Sequence, residues 1–160
     1  MVSNMDAPQP RWLDKQEQES WLALANMLMR LPAALDAQLQ RDAGMTHFEY
    51  QVLAGLSDAS ARTLRMSELA VFAGGSLSRL SHVVTRLEKR GWVTRTPDPD
   101  NGRCTLATLT EAGWVQLVAN APGHVEKVRQ LVFDPLTKGQ HKQLREIGLR
   151  VSRAIAEDGG

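Results

Sequence analysis

The chain has 160 residues, of which 42% are hydrophobic and 23% are charged, and this composition is typical of one folded globular domain. It excludes a disordered protein and a membrane-spanning one, because no stretch approaches the roughly 18 consecutive apolar residues that a membrane helix needs. The first ten residues contain no apolar core of a secretion signal, so we expect a cytoplasmic protein. The single cysteine, Cys104, excludes an intrachain disulfide and a multi-cysteine metal site.

The net charge of +1 hides an uneven distribution of charged residues along the chain. Residues 1–75 carry a net charge of −3, residues 76–103 carry +3, and residues 104–160 carry +1. A short basic segment in a nearly neutral chain indicates a local surface that binds anions. We therefore expect the functional surface to lie within residues 76–103.

The N-terminal third of the chain is predicted to form a long amphipathic helix. Between Trp12 and Leu39, large apolar residues recur at alternating spacings of three and four. Pro32 falls inside the pattern and predicts a kink or a short break. An apolar face of this kind usually belongs to the core, and the alternative is contact with a helix of a partner. Its members are Trp21, Leu24, Leu28, Leu31 and Leu35.

Capping residues and glycines mark three short helices in the middle of the chain. Thr46 and Glu49 form a capping box, in which each side chain accepts a hydrogen bond from a backbone amide that would otherwise lack a partner. A second helix is predicted over residues 66–72. Ser76 caps the third, which ends at Gly91.

The third of these helices has two contrasting faces. An apolar stripe predicted to be buried consists of Leu77, Leu80, Val84 and Leu87. The opposite face is small, polar and cationic, and consists of Ser78, Arg79, His82, Thr85, Arg86 and Lys89. One face therefore packs on the protein, and the other is free to bind an anion.

A β-hairpin and two further helices complete the predicted elements. Residues 92–96 and 104–109 are prone to form strands, and the turn between them contains Asn101-Gly102, which can supply positive φ. Thr110 caps a helix that we expect to be interrupted near Pro122. Thr137, with Gln140, forms a capping box that opens the last helix.

This order of elements predicts a winged helix-turn-helix, mainly α with a small β-hairpin as the wing. The second helix of such a turn fits the major groove of B-DNA, and an Arg on the hairpin suits a narrow minor groove. The alternative for the same residues is a solvated helix face. The candidate DNA-binding residues are Ser76, Ser78, Arg79, His82, Thr85, Arg86, Lys89, Arg95 and Arg103.

Residues 78–93, the turn at 97–103 and the segment Leu109-Thr110-Glu111-Ala112-Gly113 together resemble the MarR family of bacterial transcriptional regulators. The resemblance implies a homodimer that binds a palindromic operator in double-stranded DNA, probes the minor groove with the wing, and in many members is released by a small phenolic or lipophilic effector. The family's wing usually carries Asp-x-Arg. Here the triplet is Asn101-Gly102-Arg103, so the acid that braces the wing is missing at that position.

The dimer also follows from the residues themselves. The apolar faces of the first and last helices lie outside the winged helix, and a large side chain gains about 1.5–3 kcal/mol on burial. A two-fold partner would bury both faces. We accordingly divide the chain into a helical dimerisation region, residues 11–42 and 111–157, and a DNA-binding domain, residues 45–110.

The resemblance also places an effector site where the first, second and fifth helices meet. Its candidate residues are Trp21, His47 and Trp114, each of which has core or interface packing as the alternative. No metal or cofactor is expected, because the four histidines lack the spacing of metal ligands.

Three other functions are alternatives to DNA binding controlled by an effector. An enzyme is disfavoured, because Gly74-Gly75-Ser76-Leu77-Ser78 lacks the final glycine of a nucleophile elbow. A redox-sensing regulator would use Cys104, whose alternative is a plain packing thiol. A winged-helix module that binds an acidic protein differs from a DNA reader in its dependence on salt and operator sequence.

Overall fold

The computed structural model describes residues 10–158, and it is mainly helical with one small antiparallel sheet. This confirms the fold class predicted from the sequence. The elements in chain order are α1 (Lys15–Ala43), α2 (His47–Asp58), β1 (Thr63–Arg65), α3 (Met66–Phe72), α4 (Leu77–Lys89), β2 (Val93–Asp98), β3 (Asn101–Leu109), α5 (Glu111–Val128) and α6 (Lys138–Asp158).

The predicted capping residues start their helices. The Thr46 hydroxyl accepts a hydrogen bond from Glu49 N at 3.0 Å, and the Glu49 carboxylate accepts one from Thr46 N at 2.8 Å. The same reciprocal pair joins Thr137 and Gln140 at the start of α6. Ser76 accepts from the third amide of α4 at 3.2 Å. These contacts orient the helices because they fix where each one begins.

The two prolines inside predicted helices do not interrupt them, so the expected break near Pro122 is wrong. The helix α5 continues through Pro122, and α1 continues through Pro32. Each proline removes one backbone hydrogen bond, but its fixed φ is compatible with a helix. The packing of α1 against α5 supplies tertiary support for both helices.

The core lies between α2, α3, α4 and the sheet. Its fully buried members include Leu53, Leu56, Leu69 and Leu87. The stripe predicted on α4 is right for Leu80, Val84 and Leu87 but wrong for Leu77, which is 54% exposed, and Val83 is buried as well. Leu77 is exposed because it is the first residue of α4 and lies beyond the edge of the core.

The sheet has three strands in the order β1-β3-β2, so the predicted hairpin gains a strand that sequence analysis did not identify. That strand, β1, has only three residues and pairs with β3 through Thr63 and Thr108. The hairpin strands also extend closer to the tip than predicted. Neither Asn101 nor Gly102 adopts positive φ, because both already belong to β3 and the turn lies at Pro99 and Asp100. The strand pairing is irregular next to this turn, between Pro97 and Asp98.

Large apolar side chains remain exposed on the first and last helices. On α1, Trp21 is 55% and Leu28 is 59% exposed, although Leu35 is buried. No residue of α6 is buried, and Ile147 is 57% exposed. The apolar face of α1 therefore joins the core only at its C-terminal end.

None of the helices within residues 10–158 is long and apolar enough to cross a lipid bilayer. Residues 1–9, on which the expectation of no secretion signal mainly rests, lie outside the described part of the chain.

Candidate nucleic-acid interface

The N-terminal half of α4 projects a polar, cationic surface. Ser76, Ser78, Arg79 and His82 are exposed there, and Lys89 is exposed at the other end of the helix. The Arg79 guanidinium lies 4.2 Å from the centre of the Phe48 ring, so the side chain is supported without losing its hydrogen-bond donors. The unpaired amides at the start of the helix add a favourable partial charge for phosphate.

Arg86 is held by a buried carboxylate from α2. Its Nε donates to Glu49 Oε1 at 3.1 Å, and the Glu49 side chain is only 3% exposed. The other oxygen of Glu49 belongs to the capping box of α2, so one carboxylate caps that helix and orients Arg86. The Arg86 side chain remains 53% exposed and keeps donors for a phosphate.

Arg95 is placed differently from the other candidate cations. Its guanidinium is half-buried between β2 and α4, where it donates to Glu88 and to the hydroxyls of Thr85 and Ser81. Thr85 in turn donates to the Ser81 carbonyl oxygen. Arg95 and Thr85 therefore join the wing to α4, and most of the Arg95 donors are used within the protein.

The tip of the wing is braced by Asp98. Its carboxylate accepts hydrogen bonds from Arg65 Nε at 2.8 Å and Asp100 N at 3.0 Å. The Asp100 amide and the Arg65 guanidinium hold the pKa of Asp98 below its ordinary value, against the opposing effect of burial. Asp98 thus links the tip of the wing to Arg65, while Asn101 accepts a hydrogen bond from Arg103 N at 3.2 Å.

A cleft of about 370 Å³ separates α4 from the wing. Three guanidinium side chains line it, and the lining also includes the half-buried thiol of Cys104. Those three are Arg65, Arg95 and Arg103. Arg65 and Arg95 are paired with the carboxylates of Asp98 and Glu88, whereas Arg103 has no carboxylate partner among residues 10–158. Arg103 is therefore the cation of this cleft that is available to a phosphate backbone.

Four residues that organise this surface were not among the site residues predicted from the sequence, namely Glu49, Arg65, Glu88 and Asp98. The partners Arg65 and Asp98 are 33 positions apart, and Glu49 and Arg86 are 37 apart. No local spacing signals such contacts. The basic segment identified from charge did indicate which part of the chain to examine.

The three candidate effector residues are not brought together. His47 lines a cavity of about 880 Å³ between α1, α2 and α4, and neither Trp21 nor Trp114 is part of its lining. Trp114 lies under Arg62, whose guanidinium is 4.4 Å from the centre of the Trp114 ring. Burial lowers the pKa of His47, although the nearby Asp36 opposes this shift.

A helix-turn-helix with an exposed cationic helix, flanked by a three-stranded wing, defines the winged-helix class of DNA-binding proteins. Residues 45–105 match the MarR family. A relative with 47% identity, Sco3205 of Streptomyces coelicolor, is a MarR family regulator whose crystal structure was solved in complex with DNA; the match covers 92% of each chain, with a TM-score of 0.87. The chain belongs to the MarR family of transcriptional regulators, which are not enzymes.

Two further relatives support this assignment. AbsC, another MarR family regulator of Streptomyces coelicolor, is 32% identical over 92% of this chain and 99% of its own, with a TM-score of 0.86. The transcriptional repressor MprA of Escherichia coli is 28% identical over 104 residues. That match spans 65% of this chain and 58% of MprA, so it covers less than two thirds of that repressor.

Proposed function

We propose that the protein represses transcription by binding, as a homodimer, a palindromic operator in double-stranded DNA. In this proposal α4 enters the major groove and the wing follows the minor groove. Arg79 and His82 read base edges, and Arg103 enters the minor groove. Phosphates are bound by Ser76, Ser78, Arg86 and Lys89, while Thr85 and Arg95 support the helix and the wing from within.

The observation that carries the proposal is the exposed N-terminal half of α4 beside a wing that presents Arg103. Arg79, His82 and Arg103 are all exposed. The similarity to Sco3205, which was crystallised with DNA, supports the use of this surface. An acidic protein partner would need no groove-sized helix with small residues at its start.

Dimerisation is supported by the apolar surface that the single chain leaves exposed. α1 contributes Trp21 and Leu28, and α6 contributes Ile147 and Ile155, each at least 55% exposed. A two-fold partner would cover these helices and place two copies of α4 at half-sites about one helical turn of DNA apart.

Repression is favoured over activation by the similarity to MprA, which is named as a repressor. The proposed place of action is the bacterial cytoplasm, where the DNA lies. The cavity beside His47 also borders Arg79 and His82, so a small lipophilic or phenolic effector bound there would adjoin the DNA-binding surface. Trp21 and Trp114 remain candidates for effector contact only if the dimer completes a second site.

Selection from a pool of random duplexes tests the central proposal. The protein should enrich a palindromic sequence, and its affinity should fall linearly with salt on logarithmic axes while its preference for that sequence persists. No enrichment, or binding that is equal for all sequences, would overturn specific DNA recognition and favour the protein-interaction module. Induction by candidate effectors can then be measured as loss of affinity for the selected duplex.

A further inference from the structure

Arg65, at the start of α3, and Asp98, near the tip of the wing, form a contact to which the proposed function assigns no role. Their guanidinium and carboxylate groups meet at 2.8 Å. We propose that Asp98 is a positioning residue: by binding Arg65 it fixes the wing tip against α3, and so holds Arg103 where it can enter the minor groove. This inference rests on the proposed function, because it assigns a role within DNA binding.

The contact is built into the fold. The Asp98 side chain is only 5% exposed, whereas Arg65 is 44% exposed. A buried carboxylate needs hydrogen-bond donors, and Asp98 has two, from Arg65 Nε and Asp100 N. One donor comes from the turn itself and the other from a different element, so the carboxylate ties the turn to the body of the domain.

The backbone connects Asp98 to Arg103. Asp98 faces Asn101 across the hairpin, next to the irregularity in the strand pairing at Pro97. The Asn101 side chain then accepts from the Arg103 amide at 3.2 Å. A displacement of Asp98 therefore changes the start of β3, two residues before Arg103.

The proposal predicts that removing a negative charge from the wing weakens DNA binding, which is the opposite of the effect of net charge. Asp98 neutralises Arg65, which lines the same cleft as Arg103. If only net charge mattered, removal of the Asp98 charge would strengthen DNA binding, because one more cation per protomer would face the phosphates. If Asp98 positions the wing, the same change weakens binding even though it makes the protein more positive.

Asp100 offers a matched control on the same turn. Its carboxylate is exposed and accepts no hydrogen bond from the residues that the structure describes. Asp98→Asn and Asp100→Asn therefore each remove one negative charge, at positions two residues apart in the chain. In the Asp98→Asn variant the new side chain keeps an oxygen for the Asp100 amide, so this substitution specifically weakens the link to Arg65.

The experiment measures binding of the full-length dimeric variants to the duplex that the unaltered protein selects from a random pool. We expect Asp98→Asn to bind about tenfold more weakly than Asp100→Asn, a coupling of the size typical for residues in one network. Hydroxyl-radical footprints should lose protection beneath the wing, while the base preferences due to α4 stay unchanged. A general loss of folding would instead reduce the protection beneath the wing and the base preferences of α4 together.

Arg65→Gln and the double variant Arg65→Gln/Asp98→Asn complete the test. Once Arg65 is absent, Asp98→Asn should cause little further loss, and this comparison remains available if the single Asp98 variant does not fold. Equal affinities for Asp98→Asn and Asp100→Asn, or additive losses in the double variant, overturn the positioning role. Failure of the unaltered protein to select any duplex instead overturns the proposed function, so the two failures are distinguishable.

Discussion

Arg95 in β2 and Glu88 in α4 are joined by two hydrogen bonds, from Nε at 3.0 Å and from Nη2 at 2.6 Å, to a single carboxylate oxygen. The other oxygen of Glu88 accepts from the Arg95 backbone amide at 3.1 Å. Glu88 thus binds both the main chain and the side chain of the same wing residue. This pair therefore helps to fix the orientation of the wing relative to α4.

The first prediction follows from that pair. Arg95→Met leaves Glu88 without its guanidinium partner, so the free energy of unfolding should fall by about 1–3 kcal/mol, as for other hydrogen bonds to charged groups. Urea denaturation measures this change. Lys89→Met, an exposed neighbour, serves as the control and should change stability by less than about 0.5 kcal/mol. Equal effects of the two substitutions would mean that the pair contributes nothing to stability.

The second prediction separates base reading from phosphate binding on α4. Arg79→Ala and His82→Ala should alter which operator bases matter, because a contact to a base edge is worth about 1–3 kcal/mol of discrimination. Lys89→Ala should weaken binding to all sequences alike, since a phosphate contact carries no direct sequence information. Binding to a set of duplexes with single-base changes tests both. Unchanged preferences in the Arg79 and His82 variants would show that another face of the protein enters the groove.

The local features of the winged helix could be predicted from the sequence, because each depends on residues close together in the chain. Ser76 and the Arg79 amide that it caps are three residues apart, and so are Thr46 and Glu49. The contacts that orient the cations could not be predicted in this way. Arg95 is a cation in the basic segment and is therefore predicted to bind DNA. Its contact with Glu88 forms only when β2 folds back on α4, so the sequence does not reveal it.

The exposed apolar residues of the terminal helices provide the third prediction. The protein should sediment as a dimer at micromolar concentration, and Ile147→Glu together with Ile155→Glu should shift it toward the monomer, because a charged residue buried at an interface is strongly unfavourable. Arg150→Glu, also exposed on α6, tests whether charge alone has this effect. A monomeric unaltered protein, or a dimer that persists without α6, would contradict the proposed architecture.

The fourth prediction concerns pH. The rings of His47 and His124 lie 5.5 Å apart, and burial lowers the pKa of both, with their mutual repulsion adding to the shift at His124. The folded state therefore binds fewer protons than the unfolded state, in which a histidine has its ordinary pKa of about 6.5. The contribution of these two histidines to stability is therefore greatest above that value and decreases as the pH falls below it, until the folded pKa values are passed.

Urea denaturation between pH 7.5 and pH 5 measures the pH dependence of stability. His124→Gln removes one of the two titrating groups and can retain a hydrogen bond to Gln38, which lies 3.2 Å from His124 Nδ1. It should flatten the pH dependence relative to the unaltered protein. An identical slope in the two proteins would mean that these histidines do not govern the acid sensitivity of the fold.

The fifth prediction concerns Arg103, which is exposed on the wing and follows Gly102. A single Arg in a narrow minor groove gains affinity from the concentrated negative potential more than from the identity of the bases. Arg103→Ala should therefore weaken binding to the selected duplex by about 1–3 kcal/mol per dimer and lower the salt slope by about one or two. Dimerisation should be unaffected, because the wing lies apart from α1 and α6.

Asn101→Asp should tighten binding if a carboxylate at this position adds to the contact that Asp98 already makes with Arg65. Titrations at several salt concentrations measure both variants beside the unaltered protein. If Arg103→Ala binds as tightly as the original protein with the same salt slope, the wing does not read the minor groove, and DNA recognition rests on α4 alone.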